Sequence, residues 1–410
     1  MQTLFMPSKT QYYLELEEKY SAHNYHPLPV VLARGEGVFV WDVENKRYYD
    51  FLSGYSALNH GHSHPKIVQA FIEQAQTLTL TSRAFYNDWF GEYAKFITGF
   101  FGYDKVLPMN TGVEAVETAI KLCRKWAYER KGVEKEKATI VVCDGNFHGR
   151  TTGVISFSSD PDAKNNFGPY MPGFISIPYN DINALAKVLE NKNVCGFLVE
   201  PIQGEAGVNV PGEGYLTKTK RLCEQANVLF IADEIQTGLG RTGKMLACDH
   251  ENVRPDILIL GKALSGGMMP VSAVLADDEI MLTIKPGEHG STYGGNPLAS
   301  KIAITALQVL KDEKMAENAL VMGELLRKEL ADLHSKHISI IRGKGLLNAI
   351  VINHLNDEAA WQLCLELRKN GLLAKPTHGD KIRFAPPLII TKEQLLECAD
   401  IIKKSLSCLD

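Results

Sequence analysis

The chain has 410 residues, of which 45% are hydrophobic and 22% are charged, and its formal net charge is -4. This balance is typical of a folded globular protein and excludes the strongly basic surface that nucleic-acid binding requires. No apolar run approaches the ~20 residues of a membrane-spanning helix. The chain is longer than one hydrophobic core needs, so two or three packed units are expected.

The N-terminal stretch MQTLFMPSKTQYYLELEEKY carries acidic residues and has no long apolar segment. It is therefore unlike a secretory signal or an Arg-rich transit peptide. The eight cysteines are scattered and form no C-x-x-C pair, which favours reduced core thiols over a disulfide framework. Together these features predict a cytoplasmic protein.

Residues 36–54, EGVFVWDVENKRYYDFLSG, alternate with period two around an asparagine and predict an antiparallel hairpin. Strands buried on both faces of a parallel sheet read as short apolar runs. Four runs of this kind follow, at residues 138–145, 194–201, 227–234 and 255–262. Helical periodicity separates them, so the pattern predicts an α/β protein with a mostly parallel central sheet.

Helices and charged residues dominate after residue 305, which indicates a smaller α+β C-terminal domain. We therefore divide the chain into an N-terminal segment (1–55), a large domain (56–305) and a small C-terminal domain (306–410).

The segment 109–132 begins with a Thr111-x-x-Glu114 capping box and has helical periodicity. Gly112 at the first helical position leaves backbone N–H groups approachable, as where a helix N-terminus holds a phosphate. An ordinary capped helix explains the same pattern. The loop HGSTYGGNP (289–297), rich in small and hydroxyl residues, is open to the same two interpretations.

Three polar residues end predicted strands: Glu200, Asp233 and Lys262. Ligands of open α/β sheets bind beyond the carboxyl ends of strands, so these residues belong together. Lys262 is either a solvated lysine or a partly desolvated amine that can attack a carbonyl. Asp233 is either a helix cap or a partner for a cationic ring nitrogen. A nucleophilic lysine, such a carboxylate and donors for a phosphate are jointly what pyridoxal phosphate requires.

The sequence resembles the fold-type I, class III aminotransferases over nearly its whole length. The segments that carry the likeness are NYHPLPVVLARGEGVFVWDVENKRYYDFLSGYSALNHGHSHP, MNTGVEAVETAIKLCRKW, NFHGRT, EPIQGEAGVNVPGEGYL, LFIADEIQTGLGRTGK, LGKALSGGMMPVSAV and HGSTYGGNPLA. Within the class, the resemblance is to the branch that acts on L-ornithine. It implies transfer of the δ-amino group to 2-oxoglutarate, giving glutamate and glutamate 5-semialdehyde, which cyclises to pyrroline-5-carboxylate. The metabolic context would be arginine metabolism and proline biosynthesis.

The resemblance also implies how pyridoxal phosphate is held. Lys262 forms the internal aldimine and moves the proton between substrate and cofactor carbons. Asp233 pairs with the pyridine nitrogen, and Gln236 approaches the phenolic oxygen of the ring. Phe147 stacks on one face of the ring and Ile235 packs on the other.

Phosphate contacts and assembly follow from the same resemblance. Gly112 and Val113 donate their backbone N–H groups to the phosphate. Ser291 and Thr292 match a loop that reaches this phosphate from a neighbouring subunit, which implies a homodimer. His148 receives no catalytic role; we expect a structural one beside Phe147.

Substrate residues are implied as well. Arg150 binds the α-carboxylate of ornithine by bidentate pairing, Tyr25 engages the α-amine, and Tyr55 lines the pocket. Glu205 occupies Arg383 during the first half-reaction. It then swings away, so that Arg383 and Arg150 bind the two carboxylates of 2-oxoglutarate. Judged from the residues alone, Glu205 and Arg383 are equally a structural ion pair, and Tyr25 is a packing residue.

Other functions fit parts of the pattern. An acetylornithine or 4-aminobutyrate aminotransferase, or an aminomutase, would share Lys262 and Asp233. A NAD-binding oxidoreductase would need a strand-linked G-x-G-x-x-G, which the chain lacks. A non-catalytic binding protein would not need the intact lysine and aspartate. The alternating histidines of NHGHSHP suggest a metal site, but no ligand residues accompany them at suitable spacing, so we expect none.

Overall fold

The computed structural model describes residues 8–410. Its strands, numbered along the chain, are β1 (Leu32–Glu36), β2 (Phe39–Asp42), β3 (Arg47–Asp50), β4 (Lys105–Met109), β5 (Thr139–Cys143), β6 (Phe174–Ile177), β7 (Val194–Val199), β8 (Leu229–Asp233), β9 (Ile257–Leu260), β10 (Ser272–Ala276), β11 (Ile338–Lys344), β12 (Leu347–Ile352), β13 (Leu372–Leu373), β14 (Lys375–Thr377) and β15 (Lys381–Phe384). Its helices are α1 (Lys9–Tyr20), α2 (Ser53–Ser56), α3 (Pro65–Ala75), α4 (Asp88–Phe101), α5 (Gly112–Trp126), α6 (Thr152–Ile155), α7 (Pro161–Lys164), α8 (Ile182–Val188), α9 (Tyr215–Gln225), α10 (Asp278–Met281), α11 (Pro297–Asp312), α12 (Met315–Asp332), α13 (Ala359–Lys369) and α14 (Lys392–Leu406).

Seven strands form the central sheet, in the order β4-β10-β9-β8-β7-β5-β6. The strands from β9 to β6 are parallel, and β10 runs antiparallel to both of its neighbours. Helix α5 packs on one face, and α8 and α9 pack on the other. Because both faces are covered, β7, β8 and β9 are buried at every residue. The prediction of an α/β fold with a mostly parallel central sheet is confirmed.

The direction of these strands assembles one functional edge. Glu200, Asp233 and Lys262 lie at or just beyond the carboxyl ends of β7, β8 and β9. Strand β4 runs in the same direction as β9, since both are antiparallel to β10. The start of α5, only a few residues after β4, therefore lies at the same edge.

Two smaller sheets complete the molecule. The predicted hairpin is β2–β3, and β3 also pairs in parallel with β13 from the far end of the chain. The third sheet has the order β11-β12-β15-β14 and is antiparallel. The largest apolar core joins helices α3, α4 and α11 to the C-terminal strands and helices. The domain limits at residues 55 and 305 remain our proposal.

A completely buried arginine links the third sheet to the body of the protein. Arg241 Nη1 donates to the carbonyl oxygens of Leu346 (3.0 Å) and Pro386 (2.6 Å). Its Nε and Nη2 both donate to Asn59 Oδ1, at 3.1 and 2.6 Å. Burial lowers the pKa of Arg241 to about 9. These bonds hold the loops that flank β12 and β15 against the large domain.

None of the helices described from residue 8 onward is both long enough and apolar enough to cross a membrane.

Candidate active site

A cavity of about 240 Å³ opens at the carboxyl edge of the central sheet. The residues that line it come from loops at this edge: Gly112, Val113, Phe147, His148, Gly149, Glu200, Glu205, Asp233, Ile235, Gln236 and Lys262. Most of the cofactor residues predicted from the sequence thus surround one space, although the sequence separates them by up to 150 positions.

Lys262 follows β9 after a single glycine and has a left-handed backbone, with φ of 44°. Burial lowers the pKa of its ammonium group; the charge of Glu205 opposes this effect and that of Arg383 adds to it. A lysine with a lowered pKa releases its proton more readily and becomes a better nucleophile. The side chain that the sequence singled out is therefore suited to attack a carbonyl.

Asp233 lies on the cavity wall and is held by two hydrogen bonds. Its Oδ2 accepts from His148 Nδ1 at 2.7 Å, and its Oδ1 accepts from the backbone N–H of Ile235 at 3.1 Å. Burial opposes protonation of His148, but the hydrogen bond and charge of Asp233 outweigh it and raise the His148 pKa. The structural role expected for His148 is therefore to orient the Asp233 carboxylate.

Glu200 completes this buried group and was not given a role from the sequence. Its Oε1 accepts from the backbone N–H of Phe147 at 2.9 Å. Burial raises the pKa of Glu200 to about 7; His148 opposes the rise and Asp233 adds to it. Two carboxyl groups and one imidazole thus share a poorly solvated region next to the cavity.

The start of α5 leaves two backbone donors free. Thr111 Oγ1 accepts from Glu114 N, and Glu114 Oε2 accepts from Thr111 N, so the predicted capping box is confirmed. The box leaves the N–H groups of Gly112 and Val113 without an intrahelical acceptor, as at any helix start. A Cβ at Gly112 would lie 3.0 Å from Ile235 Cδ1, so glycine permits this close packing. The helix dipole and the two N–H groups suit a phosphate.

These groups fit pyridoxal phosphate. The cavity offers an amine for its aldehyde, a carboxylate for its ring nitrogen, and backbone donors for its phosphate. Phe147 and Ile235 supply apolar walls for a flat ring. Among the buried polar atoms that lack a hydrogen-bond partner within residues 8–410, His148 Nε2 and Gln236 Oε1 belong to residues that line this cavity. Unpaired polar atoms are costly in a closed core, and their presence here is consistent with a polar ligand.

Glu205 and Arg383 form an ion pair at the cavity. Arg383 Nη1 donates to Glu205 Oε1 at 2.8 Å, and the arginine side chain is only 2% exposed. Burial alone would raise the pKa of Glu205, but the charges of Arg383 and Lys262 lower it to about 2. Glu205 therefore stays ionised and neutralises Arg383.

The remaining predicted substrate residues are Tyr55, Arg150 and Tyr25. Tyr55 lies in α2, whose four residues all have positive φ and form one left-handed turn. The Arg383 guanidinium is 5.1 Å from the Tyr55 ring centre, and that of Arg150 is 5.8 Å from the Phe147 ring centre. Arg150 is exposed, and Tyr25 is 68% exposed. Burial raises the Tyr55 pKa; the charge of Glu205 adds to this rise, and the charges of Arg383 and Arg150 oppose it.

Ser291 and Thr292 do not line the cavity of their own chain. Ser291 Oγ accepts from Asn110 Nδ2 at 2.7 Å and from Gly294 N at 3.1 Å, next to the start of α5. Thr292 is exposed. Their predicted contact with the phosphate of a neighbouring subunit stays a proposal.

The histidines of NHGHSHP bind separate partners. His62 Nε2 lies 2.8 Å from Asp50 Oδ2, and His64 Nε2 lies 3.2 Å from Glu313 Oε2. His60 contacts a backbone carbonyl. Throughout residues 8–410, no group of three or more His, Cys, Asp or Glu side chains could hold a metal ion.

Residues 20–406 match the family model described as Aminotransferase class-III. The mitochondrial ornithine aminotransferase of Rattus norvegicus is 62% identical over 98% of this chain and 91% of its own length. Ornithine aminotransferase of Plasmodium falciparum is 54% identical over 98% of this chain and 97% of its own.

Solved structures agree with these relatives. The ornithine aminotransferase of Toxoplasma gondii ME49 has a TM-score of 0.96 and 47% identity, covering 98% of this chain and 96% of its own. A second structure of that enzyme is described as having partial occupancy of PLP at the active site. An acetylornithine aminotransferase from Elizabethkingia anophelis has a TM-score of 0.89 and 60% identity, covering 97% and 99%. The chain belongs to the class III aminotransferases, which are pyridoxal-phosphate enzymes.

Proposed function

We propose that the chain transfers the δ-amino group of L-ornithine to 2-oxoglutarate. The products are glutamate and glutamate 5-semialdehyde, which cyclises to pyrroline-5-carboxylate and links arginine metabolism to proline biosynthesis. The observation that carries the proposal is the buried Glu205–Arg383 pair at the cavity (2.8 Å). Relatives named ornithine aminotransferase, with identities of 62% and 63%, support it. Family membership removes the NAD-binding oxidoreductase and the non-catalytic protein from the alternatives.

The ion pair explains why the δ-amine would react. Ornithine carries an α-carboxylate, and a free arginine at the cavity would bind it by charge-assisted hydrogen bonds and present the α-carbon. With Glu205 on Arg383, that carboxylate must bind elsewhere, and Arg150 is the proposed site. The extended substrate then presents its δ-end to Lys262. 2-Oxoglutarate has two carboxylates, so both arginines are needed and Glu205 must move away.

The other site residues serve the proton transfers. Pyridoxal phosphate, when bound, supplies the electron sink that makes the substrate carbon acidic. Lys262, whose pKa is lowered, accepts that proton and returns it at a different carbon. Asp233 provides the negative charge that keeps a ring nitrogen protonated, and His148 holds this carboxylate in place. Buried walls exclude water around these groups.

We also propose that the enzyme works as a homodimer in the cytoplasm. Ser291 and Thr292 of one subunit would complete the phosphate site of the other. The exposed Thr292 and the exposed ring of Tyr293 beside it are consistent with a contact surface. All eight cysteines are free and seven are buried, which suits a reducing compartment. Several of the relatives are named as mitochondrial proteins.

The competing candidate is acetylornithine transamination. It is supported by the 60% identical structure from Elizabethkingia anophelis, which is named an acetylornithine aminotransferase. The two are separated by incubating the purified holoenzyme with L-ornithine, N-acetylornithine or 4-aminobutyrate, each with 2-oxoglutarate. We expect kcat/KM for ornithine to exceed both others at least tenfold. A higher value for N-acetylornithine would overturn the proposal.

The ion pair itself is tested by Glu205→Ala. Arg383 would then be free to bind the α-carboxylate of the first substrate, and α-transamination of glutamate would gain over δ-transamination of ornithine. A hydrogen bond to a charged group is worth roughly 1.5–3 kcal/mol, so the kcat/KM ratio of glutamate to ornithine should rise roughly tenfold or more. The ratio is measured in separate single-turnover half-reactions. An unchanged ratio would make Glu205 a structural partner only.

A further inference from the structure

Glu205 is bound by a second donor besides Arg383. Gln236 Nε2 donates to Glu205 Oε1 at 2.9 Å, the same oxygen that accepts from Arg383 Nη1 at 2.8 Å. Gln236 is itself buried, at 6% exposure. If Glu205 is to leave Arg383 for the second substrate, it must therefore break two hydrogen bonds. Only one of these belongs to the ion pair.

The amide of Gln236 sits in a space that a glycine leaves for it. A Cβ built on Gly204 would lie only 1.5 Å from Gln236 Oε1. Gly204 directly precedes Glu205, so the loop that carries the Glu205 carboxylate also packs against the Gln236 amide. Any side chain at position 204 would push the Gln236 head away from its present position.

The orientation of the amide is fixed from the other side as well. Gln236 Nε2 also points to the carbonyl oxygen of Tyr55 at 3.4 Å, within the left-handed turn α2. Rotating the amide by half a turn would place Oε1 against the Glu205 carboxylate, where two acceptors repel. The amide therefore presents Nε2 to Glu205 and to the Tyr55 carbonyl oxygen, and it leaves Oε1 without a hydrogen-bond partner within residues 8–410.

We propose that Gln236 is a positioning residue for substrate choice: it holds Glu205 on Arg383 and so favours the δ-amine over the α-amine. The inference rests on the proposed ornithine reaction and adds a role to the cofactor contact expected for Gln236. Because the donor serves a carboxylate, losing it should weaken the hold of Glu205 on Arg383 by roughly tenfold.

Two variants disturb this contact in different ways. Gln236→Leu removes the donor at similar size, and Gly204→Ala displaces the amide without removing it. In each, the kcat/KM ratio of glutamate to ornithine should rise roughly tenfold. Thr377→Val is the matched control, because Thr377 Oγ1 donates to the backbone oxygen of Glu205 at 2.7 Å and not to its carboxylate. An equal rise in Thr377→Val would overturn the proposal, since any loosening of the loop would then suffice.

A double variant separates this role from the cofactor contact. A weakened cofactor site would slow ornithine and glutamate alike and leave the ratio unchanged. Gln236→Leu in a Glu205→Ala background should likewise leave the ratio of Glu205→Ala unchanged, because there is no carboxylate left to hold. A further rise in the double variant would show that Gln236 acts on substrate choice by another route.

Binding of glutarate supplies a readout without turnover. Glutarate carries two carboxylates and no group that can be transaminated, so it probes access to Arg383 together with Arg150. By calorimetry on the holoenzyme, its Kd should fall roughly tenfold in Gln236→Leu and in Gly204→Ala. An unchanged Kd in both overturns the inference. If the Kd shifts while wild-type enzyme does not use ornithine, the proposed function fails and the role of Gln236 in holding Glu205 stands.

Discussion

The buried carboxyl group of Glu200 should make the stability of the protein depend on pH. Burial raises its pKa from 4.5 to about 7, so the ionised form is disfavoured in the folded state. Glu200→Gln tests this, because it keeps an oxygen acceptor for the backbone N–H of Phe147 and removes the titratable proton. A rise of this size corresponds to about 3 kcal/mol of destabilisation when Glu200 is fully ionised.

The direction of the stability change with pH follows from how many protons each state binds. Between pH 4.5 and about 7, the folded protein holds a proton on Glu200 that the unfolded chain has lost. Stability therefore falls as pH rises through this interval, and the whole cost is present above it. Below pH 4.5 both states are protonated and Glu200 contributes nothing.

Urea unfolding of the apoenzyme at a series of pH values measures this effect. We expect the free energy of unfolding of Glu200→Gln, relative to wild type, to increase by about 2–3 kcal/mol from pH 5 to pH 8. The exposed Glu213 provides a matched control, and Glu213→Gln should give a flat difference. A flat difference for Glu200→Gln as well would refute the inference that its carboxyl is buried in a poorly solvated site.

Two further predictions concern the catalytic edge of the sheet. Lys262→Ala should abolish transamination while circular dichroism shows an intact fold; turnover near the wild-type rate would remove the lysine from the mechanism. Asp233→Asn should still bind pyridoxal phosphate but react roughly a hundredfold or more slowly, because an amide carries no charge to stabilise a protonated ring nitrogen. Tight cofactor binding combined with wild-type rates would contradict the role of Asp233.

Much of the fold could be predicted because its signals are local. The apolar runs found in the sequence contain β5, β7, β8 and β9, and the Thr111–Glu114 box marks the first turn of α5. Each signal lies within about ten residues and reports burial or capping directly. The pairing of β3 with β13 has no such signal, since β13 is only two residues long and lies at the other end of the chain.

In the active site, too, local features could be predicted and contacts between distant residues could not. The strand-end positions of Asp233 and Lys262 follow from the α/β pattern, whereas the bond between His148 and Asp233 joins residues 85 positions apart. The packing of the Gln236 amide against Gly204 depends on where one side chain lies, and the pattern of apolar residues in the sequence does not predict this. The sequence predicts only that Glu200 ends a strand. Its raised pKa comes from burial and from neighbours that the folded chain brings together.

The pairing of β3 with β13 also has a consequence during synthesis. Tyr49 N donates to Gly371 O and Phe51 N to Leu373 O, yet the ribosome makes these partners about 320 residues apart. At roughly 5–20 residues per second, the outer edge of β3 would wait roughly 15–60 seconds for its neighbour. An unpaired strand edge is a template for pairing with other chains. The speed of translation, and any chaperone that covers this edge meanwhile, thus bear on how much of the enzyme reaches its native form.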